Sequence, residues 1–262
     1  MKLIKPSTEI WEQEPGIEGM FRHIERCARV CYKSEDKTGE DTAEKMVDML
    51  IEKGHTAMLE HGTVYLQIPV VKAEGNFGYN WAVERYSHNP YSRITTDLTT
   101  LYVTTNYRVL VENNWDNDMM WQCEPTEYHK RRITVHFTCD RGISHELVRH
   151  RVFSFAQEST RYCNYSKAKF ENEVTFIEPH WKLEECFLNS LEDSENTYME
   201  LLRKGWTPQQ ARSVLPNSLK TEVCMTGFLD DWEGFFKLRC AQIAHPQIRE
   251  LAVPLQEKLK SS

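Results

Sequence analysis

Apolar residues recur at helical spacing in two stretches near the start of the chain. Met20, Ile24 and Cys27 fall three to four residues apart, and residues 42–54 repeat this spacing up to a glycine. The spacing places the apolar side chains on one face of a helix. The sequence therefore predicts two amphipathic helices at the beginning of the chain.

Two later stretches alternate apolar and polar residues, as a strand with one buried face does. Residues 63–70 alternate through Val64, Leu66 and Ile68, and residues 131–139 repeat the pattern. Both stretches are predicted to be strands.

Residues 72–130 separate these two strands and carry mixed signals. Residues 101–105 (LYVTT) resemble a strand, whereas residues 106–114 (NYRVLVENN) resemble a helix, and the segment is rich in Asn, Tyr and Trp. We interpret 72–130 as an insertion or elaboration of the fold.

The second half of the chain mixes helices and strands without a regular alternation. Asp140 is a suitable N-cap for a helix over residues 141–151. The other predicted elements are a long helix ending at Gly205, a helix with Pro208 in its first turn, a strand over 218–228, and helices over 230–242 and 245–259. This order favours an α+β fold, with mixed helices around an antiparallel sheet, in a single domain spanning residues 1–262.

Composition excludes several functional classes. The chain has 262 residues, 40% of them hydrophobic, and a formal net charge of −7, which argues against a general nucleic-acid-binding protein. The first residues lack the apolar run of a signal peptide, and no eighteen apolar residues follow one another. We therefore expect a cytoplasmic protein that binds neither nucleic acid nor membrane, and any anion site must be a local one.

The cysteines and histidines do not predict a metal site. Eight cysteines are scattered without a CxxC pair, so buried reduced thiols are expected rather than a zinc ribbon or a disulfide framework. His55 and His61 lie six residues apart, off the i, i+4 face that helical zinc sites use. A metal hydrolase built on these two histidines is the weakest alternative function.

The stretch RHRVFSFAQESTRY, residues 149–162, concentrates cations in an otherwise acidic protein. Cations in the last turn of a helix also stabilise its free carbonyls, so capping is one explanation. However, three consecutive helical residues point in three directions, and capping accounts for only one or two of them. Arginine and serine at this spacing suit phosphate oxygens, which favours a nucleotide site.

The same stretch resembles the signature of the flavin-dependent thymidylate synthases. The tripeptide 149–151 is followed, after seven residues, by Ser159 and then by Arg161 and Tyr162. Further similarity lies in GHTAMLEHG (54–62), in ARSVLP (211–216), and in LR with HPQ (238–247). The resemblance covers most of the chain apart from 72–130.

This resemblance implies a specific reaction and assembly. Members of the family methylate dUMP to dTMP with methylenetetrahydrofolate as carbon donor, FAD as hydride carrier and NADPH as reductant. They are homotetramers with an α+β core, and their active sites form between subunits. A nucleotide-binding regulatory protein or an RNA-binding protein is the alternative that would keep the cationic residues without redox chemistry.

The resemblance also assigns roles to individual residues. The predicted FAD contacts are His55, Glu60, Arg149, His150, Arg151 and Gln157, and the predicted dUMP contacts are Glu146, Arg149, Gln157, Ser159, Arg161, Arg212 and Arg239. Arg239 is the predicted catalytic residue, because a guanidinium would stabilise negative charge that builds on the pyrimidine ring. Cys163 is predicted to take no part in the chemistry.

Some positions depart from the family pattern. Glu146 stands where the family often has glutamine, and a surface pair with Arg149 is its alternative role. Gln157 stands where many relatives have glutamate. Ala57 and residues 228–234 differ where relatives contact FAD, so the adenine end of FAD is expected to be held differently here.

Overall fold

The computed structural model describes residues 1–70, 81–97 and 99–261. Part of the 72–130 segment therefore lies outside the described residues. The helices are α1 (Gly16–Tyr32), α2 (Thr42–Glu52), α3 (Trp81–Ser87), α4 (Tyr107–Asn113), α5 (Arg141–Leu147), α6 (Glu185–Arg203), α7 (Pro208–Ala211), α8 (Leu229–Arg239) and α9 (Pro246–Ser261). The strands are β1 (Lys2–Ile4), β2 (Ser7–Trp11), β3 (Thr63–Pro69), β4 (Arg93–Thr96), β5 (Thr100–Asn106), β6 (Arg132–Asp140), β7 (Ser154–Gln157), β8 (Thr175–Ile177) and β9 (Lys220–Phe228).

A four-stranded antiparallel sheet has the order β2-β6-β9-β7, and its edge strand β7 belongs to the cationic stretch. Alternate residues of β6 and β9 point into one core, where Val135, Phe137 and Met225 pack against Trp232 and Phe235 of α8. Burial of these side chains explains why the alternating pattern forms a strand here. The sheet thus fixes the position of β7 and of the turns at both of its ends.

A second antiparallel sheet has the order β3-β5-β4. Strands β4 and β5 belong to the 72–130 segment. They pair with each other, and β5 also pairs with β3, which lies outside the segment. Val64, Leu66 and Val103 of this sheet share a core with Met20 and Ile24 of α1. The described part of the segment is therefore built into the fold. A separate parallel pair joins β1 to β8.

The α+β class with antiparallel sheets is confirmed, as are most of the predicted elements. The helices α1, α2, α4, α6, α8 and α9 and the strands β3, β5, β6 and β9 lie within a few residues of their predicted ranges. The predicted helix with Pro208 forms one α-helical turn with a capping box and continues as a 3-10 helix, Arg212–Val214. The pattern missed β1, β2, β4, β8 and α3, which are short.

The cationic stretch itself differs from its prediction in two ways. Helix α5 ends at Leu147, so the three residues 149–151 follow the helix instead of forming its last turn. The backbone carbonyl of Glu146 accepts from Arg239 at 3.0 Å, and Phe153 turns into the core. In addition, Ser154–Gln157 is a strand, which the sequence pattern did not predict.

Candidate active site

The N-terminus of α5 is fixed by its cap and by two buried side chains. Oδ1 of Asp140 accepts from the backbone N–H of Ile143 at 2.7 Å, which confirms the predicted N-cap. Ile143 and Leu147 are buried in the main core. These contacts orient the arginine turn, our name for residues 149–151, relative to the sheet.

Arg239, the last residue of α8, binds the end of α5 through three of its donors. Its Nε donates to Nε2 of His150 at 2.8 Å, and one terminal nitrogen donates to the Glu146 carbonyl at 3.0 Å. The other terminal nitrogen donates to the Glu146 carboxylate. The structure therefore brings Glu146, His150 and Arg239 together, and Glu146 pairs with Arg239 instead of Arg149. A guanidinium has five N–H donors, so two remain for a ligand.

His150 contributes no positive charge to the arginine turn near neutral pH. Burial, and then the positive charge of Arg239, lowers the pKa of His150 to about 4. The neutral ring can accept the hydrogen bond from Arg239, which requires its proton to lie on Nδ1. The charge of the turn comes from Arg149 and Arg151, which are both exposed and form no ion pair with any described residue.

The side-chain amide of Gln157, at the end of β7, forms hydrogen bonds within the protein. Its Nε2 donates to Oγ of Ser144 at 2.9 Å and to Oγ1 of Thr221 at 3.3 Å. Both partners are neutral, and Gln157 is only partly buried. Its amide oxygen has no described hydrogen-bond partner, so this oxygen can still accept a hydrogen bond from a ligand.

Ser159, Arg161 and Arg212 form a second cationic group, the serine–arginine cluster. Nε of Arg161 donates to Gln209 at 3.1 Å, and Arg212 donates to Oγ1 of Thr160 at 3.0 Å. Both guanidiniums are exposed and have neutral partners only, among the residues that the structure describes. Three predicted dUMP contacts therefore lie close together, and the charges of Arg161 and Arg212 have no described carboxylate partner.

The arginine turn and the serine–arginine cluster lie at opposite ends of β7. The strand has four residues, a length of roughly 13 Å at about 3.3 Å per residue. The predicted dUMP contacts are accordingly divided within one subunit: Glu146, Arg149 and Arg239 lie at one end, and Gln157 and the cluster lie at the other.

Two predicted FAD contacts lie at a short 3-10 helix, Thr56–His61. His55 immediately precedes this helix and Glu60 lies within it. His55 is exposed, whereas the Glu60 carboxylate binds Arg108 and its carbonyl accepts from Arg132 at 3.0 Å. In the described part of the chain, no hydrogen bond or ion pair joins His55 or Glu60 to the arginine turn. The structure therefore does not bring the two sets of predicted FAD contacts into direct contact.

His61 is a core histidine. Its ring is fully buried and its Nδ1 lies 2.7 Å from Oγ1 of Thr226. Because His55 is exposed and His61 points into the core, these two residues do not share a metal-binding face. The described residues contain no group of three or more His, Cys, Asp or Glu arranged to hold a metal ion.

Comparison with known proteins identifies the family. The family model for the thymidylate synthase complementing protein matches residues 120–262, more than half of the chain. The chain belongs to this family. Membership makes it an enzyme, and the arginine turn, the serine–arginine cluster and Arg239 all lie within the matched region.

Curated relatives of this family are similar over different lengths. Flavin-dependent thymidylate synthase from Corynebacterium glutamicum is 26% identical over 269 residues, which cover 95% of this chain and 79% of the relative. The proteins of the same name from Geobacter sulfurreducens and Pyrococcus furiosus are 33% and 32% identical over 121 and 126 residues, in each case 46% of this chain and about half of the relative.

The cysteines of this thymidylate synthase family member are all free thiols. Cys163 is completely buried, and burial, followed by the charge of Glu158, raises its pKa to about 12. A thiol with this pKa is a poor nucleophile. Cys186 is exposed, so the expectation of buried thiols was wrong at that position.

Sequence reasoning missed two arginines, Arg93 and Arg132, and Arg132 donates to the carbonyl of the predicted FAD contact Glu60. Arg93, Arg132 and Phe228 lie together although they come from distant parts of the chain. The adjacent arginines at 131 and 132 were a visible signal at the start of a strand, but nothing in the sequence connected them to Arg93.

No helix in the described residues is both long and apolar enough to cross a membrane.

Proposed function

We propose that this enzyme is a flavin-dependent thymidylate synthase that converts dUMP to dTMP. It would use methylenetetrahydrofolate as carbon donor, FAD as hydride carrier and NADPH as reductant. The observation that carries the proposal is the pair of uncompensated arginine groups at the two ends of β7, in a chain of net charge −7 that belongs to the family. Exposed guanidiniums without carboxylate partners are suited to bind phosphates bidentately.

The residues present fit a flavin dinucleotide. Arg149 and Arg151 offer free guanidiniums for its phosphates, and the neutral His150 ring is fixed by Arg239. His55, Glu60 and Gln157 are the remaining residues that would hold FAD. When bound, the flavin supplies the hydride that reduces the transferred carbon.

The protein's own contribution to the pyrimidine chemistry would come from Arg239. Attack by C5 of uracil requires negative charge to build on the ring, and the two unused N–H groups of Arg239 can stabilise it. Glu146 and Arg149 would lie beside the base. Ser159, Arg161 and Arg212 would hold the dUMP phosphate.

A shared active site follows from the separation of the two dUMP-binding groups. Because the groups lie at opposite ends of β7, one nucleotide would take the base contacts from one subunit and the phosphate contacts from another. Val148 and Val152, which flank the arginine turn, are 39% and 65% exposed and would be covered by a neighbouring subunit. This arrangement supports a homotetramer, and the eight free thiols are consistent with a cytoplasmic location.

The visible absorption spectrum tests the proposal directly. The purified protein would be incubated with FAD, freed of unbound flavin and then reduced anaerobically with NADPH. We expect an oxidised-flavin spectrum that bleaches with NADPH and recovers when dUMP and methylenetetrahydrofolate are added, with one dTMP formed per flavin reoxidised.

Two results would contradict this function. Correctly folded protein that retains no flavin would show that the arginines bind another anion. Salt-dependent binding of RNA by colourless protein would instead favour the RNA-binding alternative.

A further inference from the structure

The hydrogen bonds of Ser144 fix the direction in which the side-chain amide of Gln157 points. Ser144 lies in α5 and is fully buried, and its hydroxyl donates to the backbone carbonyl of Arg141 at 2.9 Å. A hydroxyl carries one proton, so Ser144 can only accept from any other partner. That partner is Nε2 of Gln157, which lies 2.9 Å from the Ser144 oxygen.

Thr221 of β9 holds the same amide from a second side. This residue is 1% exposed, and its Oγ1 accepts from Nε2 of Gln157 at 3.3 Å. The two protons of the amide nitrogen then each have an acceptor. If the amide turned over, its oxygen would face Ser144, whose proton is already donated, and that hydrogen bond would be lost. The amide of Gln157 is therefore held in one orientation.

This orientation leaves Gln157 with only an acceptor for a ligand. Its oxygen has no hydrogen-bond partner among the described residues, and the residue is only partly buried. The carboxylate of the next residue, Glu158, does not add charge here, because it binds Lys220 at 2.9 Å. A neutral acceptor thus lies close in the chain to Ser159 and Arg161, where an unpaired carboxylate would repel a phosphate.

The proposed substrate has one sugar hydroxyl that suits this acceptor. In dUMP the 5′-oxygen of the sugar is esterified to phosphate, so the 3′-hydroxyl is the free donor on the sugar. Gln157 precedes the phosphate-binding Ser159 by two residues. Its oxygen is accordingly near the sugar that carries the phosphate, whereas the donor N–H of uracil lies at the opposite end of the nucleotide.

We propose that Ser144 is a positioning residue, which holds the amide of Gln157 so that its oxygen accepts from the 3′-hydroxyl of the nucleotide. This inference rests on the proposed function and adds to it a residue outside the cationic motif. The amide oxygen has two lone pairs, so one remains for the flavin. Helix α5 would then position groups at both ends of β7, because Glu146 of the same helix binds Arg239.

Two nucleotides that differ at the 3′-position test this role. The 3′-fluoro analogue, 2′,3′-dideoxy-3′-fluorouridine 5′-monophosphate, has an acceptor but no donor where dUMP has the hydroxyl. Dissociation constants of both would be measured by calorimetry on protein incubated with FAD. Wild type should bind dUMP about tenfold more tightly than the analogue, because the fluorine faces the amide oxygen.

Ser144→Ala should reduce this preference to about twofold. Without the Ser144 oxygen the amide can turn over and present its N–H groups to the fluorine. The double variant Ser144→Ala/Gln157→Glu should restore the preference to about tenfold, since a carboxylate presents an acceptor whichever way it turns. Loss of packing alone would not be reversed by this second change.

Ser194→Ala is the matched control, because the Ser194 hydroxyl also donates to a carbonyl of its own helix, that of Ser190 at 2.9 Å, but binds no described glutamine. Its preference for dUMP should equal that of wild type. If Ser144→Ala does not fold, Thr221→Val removes the other acceptor of the amide and should also lower the preference.

Three results would overturn the inference and leave the proposed function intact. They are equal binding of the two nucleotides by wild type, an unchanged preference in folded Ser144→Ala or, failing that variant, in Thr221→Val, and a preference that Gln157→Glu does not restore. Wild-type protein that binds no dUMP in the presence of FAD would overturn the proposed function as well.

Discussion

Glu158 and Ser159 are adjacent in the sequence but belong to opposite kinds of charge arrangement. Glu158 is 2% exposed and belongs to a network in which each charge has an opposite partner. Ser159 begins the serine–arginine cluster, where the guanidiniums of Arg161 and Arg212 have only neutral partners. The first region pairs two lysines with two glutamates, whereas the second holds two arginines whose described partners are neutral.

The paired network comprises Lys33, Glu158, Lys220 and Glu222. Lys220 donates to both carboxylates, and Lys33 donates to Glu222 at 3.0 Å. Each side chain is at most 18% exposed. Buried charges persist only when they are paired, so this network needs no ligand to explain it.

Exposure permits the opposite arrangement in the serine–arginine cluster. Water can solvate an arginine that lacks a carboxylate partner, and the charge then remains available for an anionic ligand. An unpaired cation on the surface is therefore a better indicator of a binding site than a high local density of cations. Substitutions in the two regions should accordingly change different quantities, which the following variants test.

Arg239→Ala is expected to have the largest effect, because Arg239 is paired with Glu146 and is the proposed catalytic residue. Loss of one group that stabilises developing charge should lower turnover by about 10² to 10³, equivalent to roughly 3–4 kcal/mol. The measurement is dUMP-dependent oxidation of NADPH, with FAD binding measured in parallel. FAD affinity should change far less than turnover.

Arg239→Lys is the control, since it keeps the charge but lacks the planar fork of N–H groups that contacts His150 and Glu146. Intermediate turnover in this variant would show that the geometry of the guanidinium contributes as well as its charge. Normal turnover in Arg239→Ala would show that the assignment of Arg239 as the catalytic residue is wrong.

Glu222→Gln should destabilise the fold by about 3 kcal/mol, because it leaves the cations of Lys33 and Lys220 buried with one carboxylate fewer. Burial alone would raise the pKa of Glu222, but the hydrogen bond from His136 and the two lysines lower it well below its ordinary value of 4.5. A lowered carboxyl pKa stabilises the folded state fully above the ordinary value, and this contribution is lost as pH falls below it.

Urea unfolding at several pH values measures this effect. The difference in unfolding free energy between wild type and Glu222→Gln should be constant near neutral pH and should shrink as the pH is lowered below 4.5. Affinity for dUMP at neutral pH should be unchanged. A difference that does not vary with pH would show that the carboxylate charge is not what stabilises the network.

The sequence predicts well those elements whose pattern is local. The alternation in β6 and the N-cap of α5 are each determined by a few neighbouring residues, and both were predicted from them. The spacing of the cationic motif likewise pointed to the residues at both ends of β7. The prediction failed for β1 and β4, because strands of three and four residues are too short to show a pattern.

Contacts between distant residues set the limits of sequence reasoning at the site. The helix α5 was predicted to continue through residues 149–151, but the carbonyl of Glu146 binds Arg239, which is 93 residues away. The placement of Arg93 on Phe228 depends in the same way on the folding of two sheets. Local elements could be predicted from the spacing of residues, whereas contacts that depend on tertiary pairing required the structure.

Arg212→Gln should produce the smallest of these effects and should change affinity without changing stability. Arg212 is exposed and its only described partner is the hydroxyl of Thr160, so the fold loses little when its charge is removed. Loss of one charge-assisted hydrogen bond to phosphate should raise the KM for dUMP about tenfold, or roughly 1.5 kcal/mol, and high salt should reduce the difference from wild type. Deoxyuridine, which lacks the phosphate, provides the control, since wild type and Arg212→Gln should bind it equally weakly. If the variant lost stability and kept its KM, Arg212 would belong with the paired network, and pairing would not distinguish the two regions.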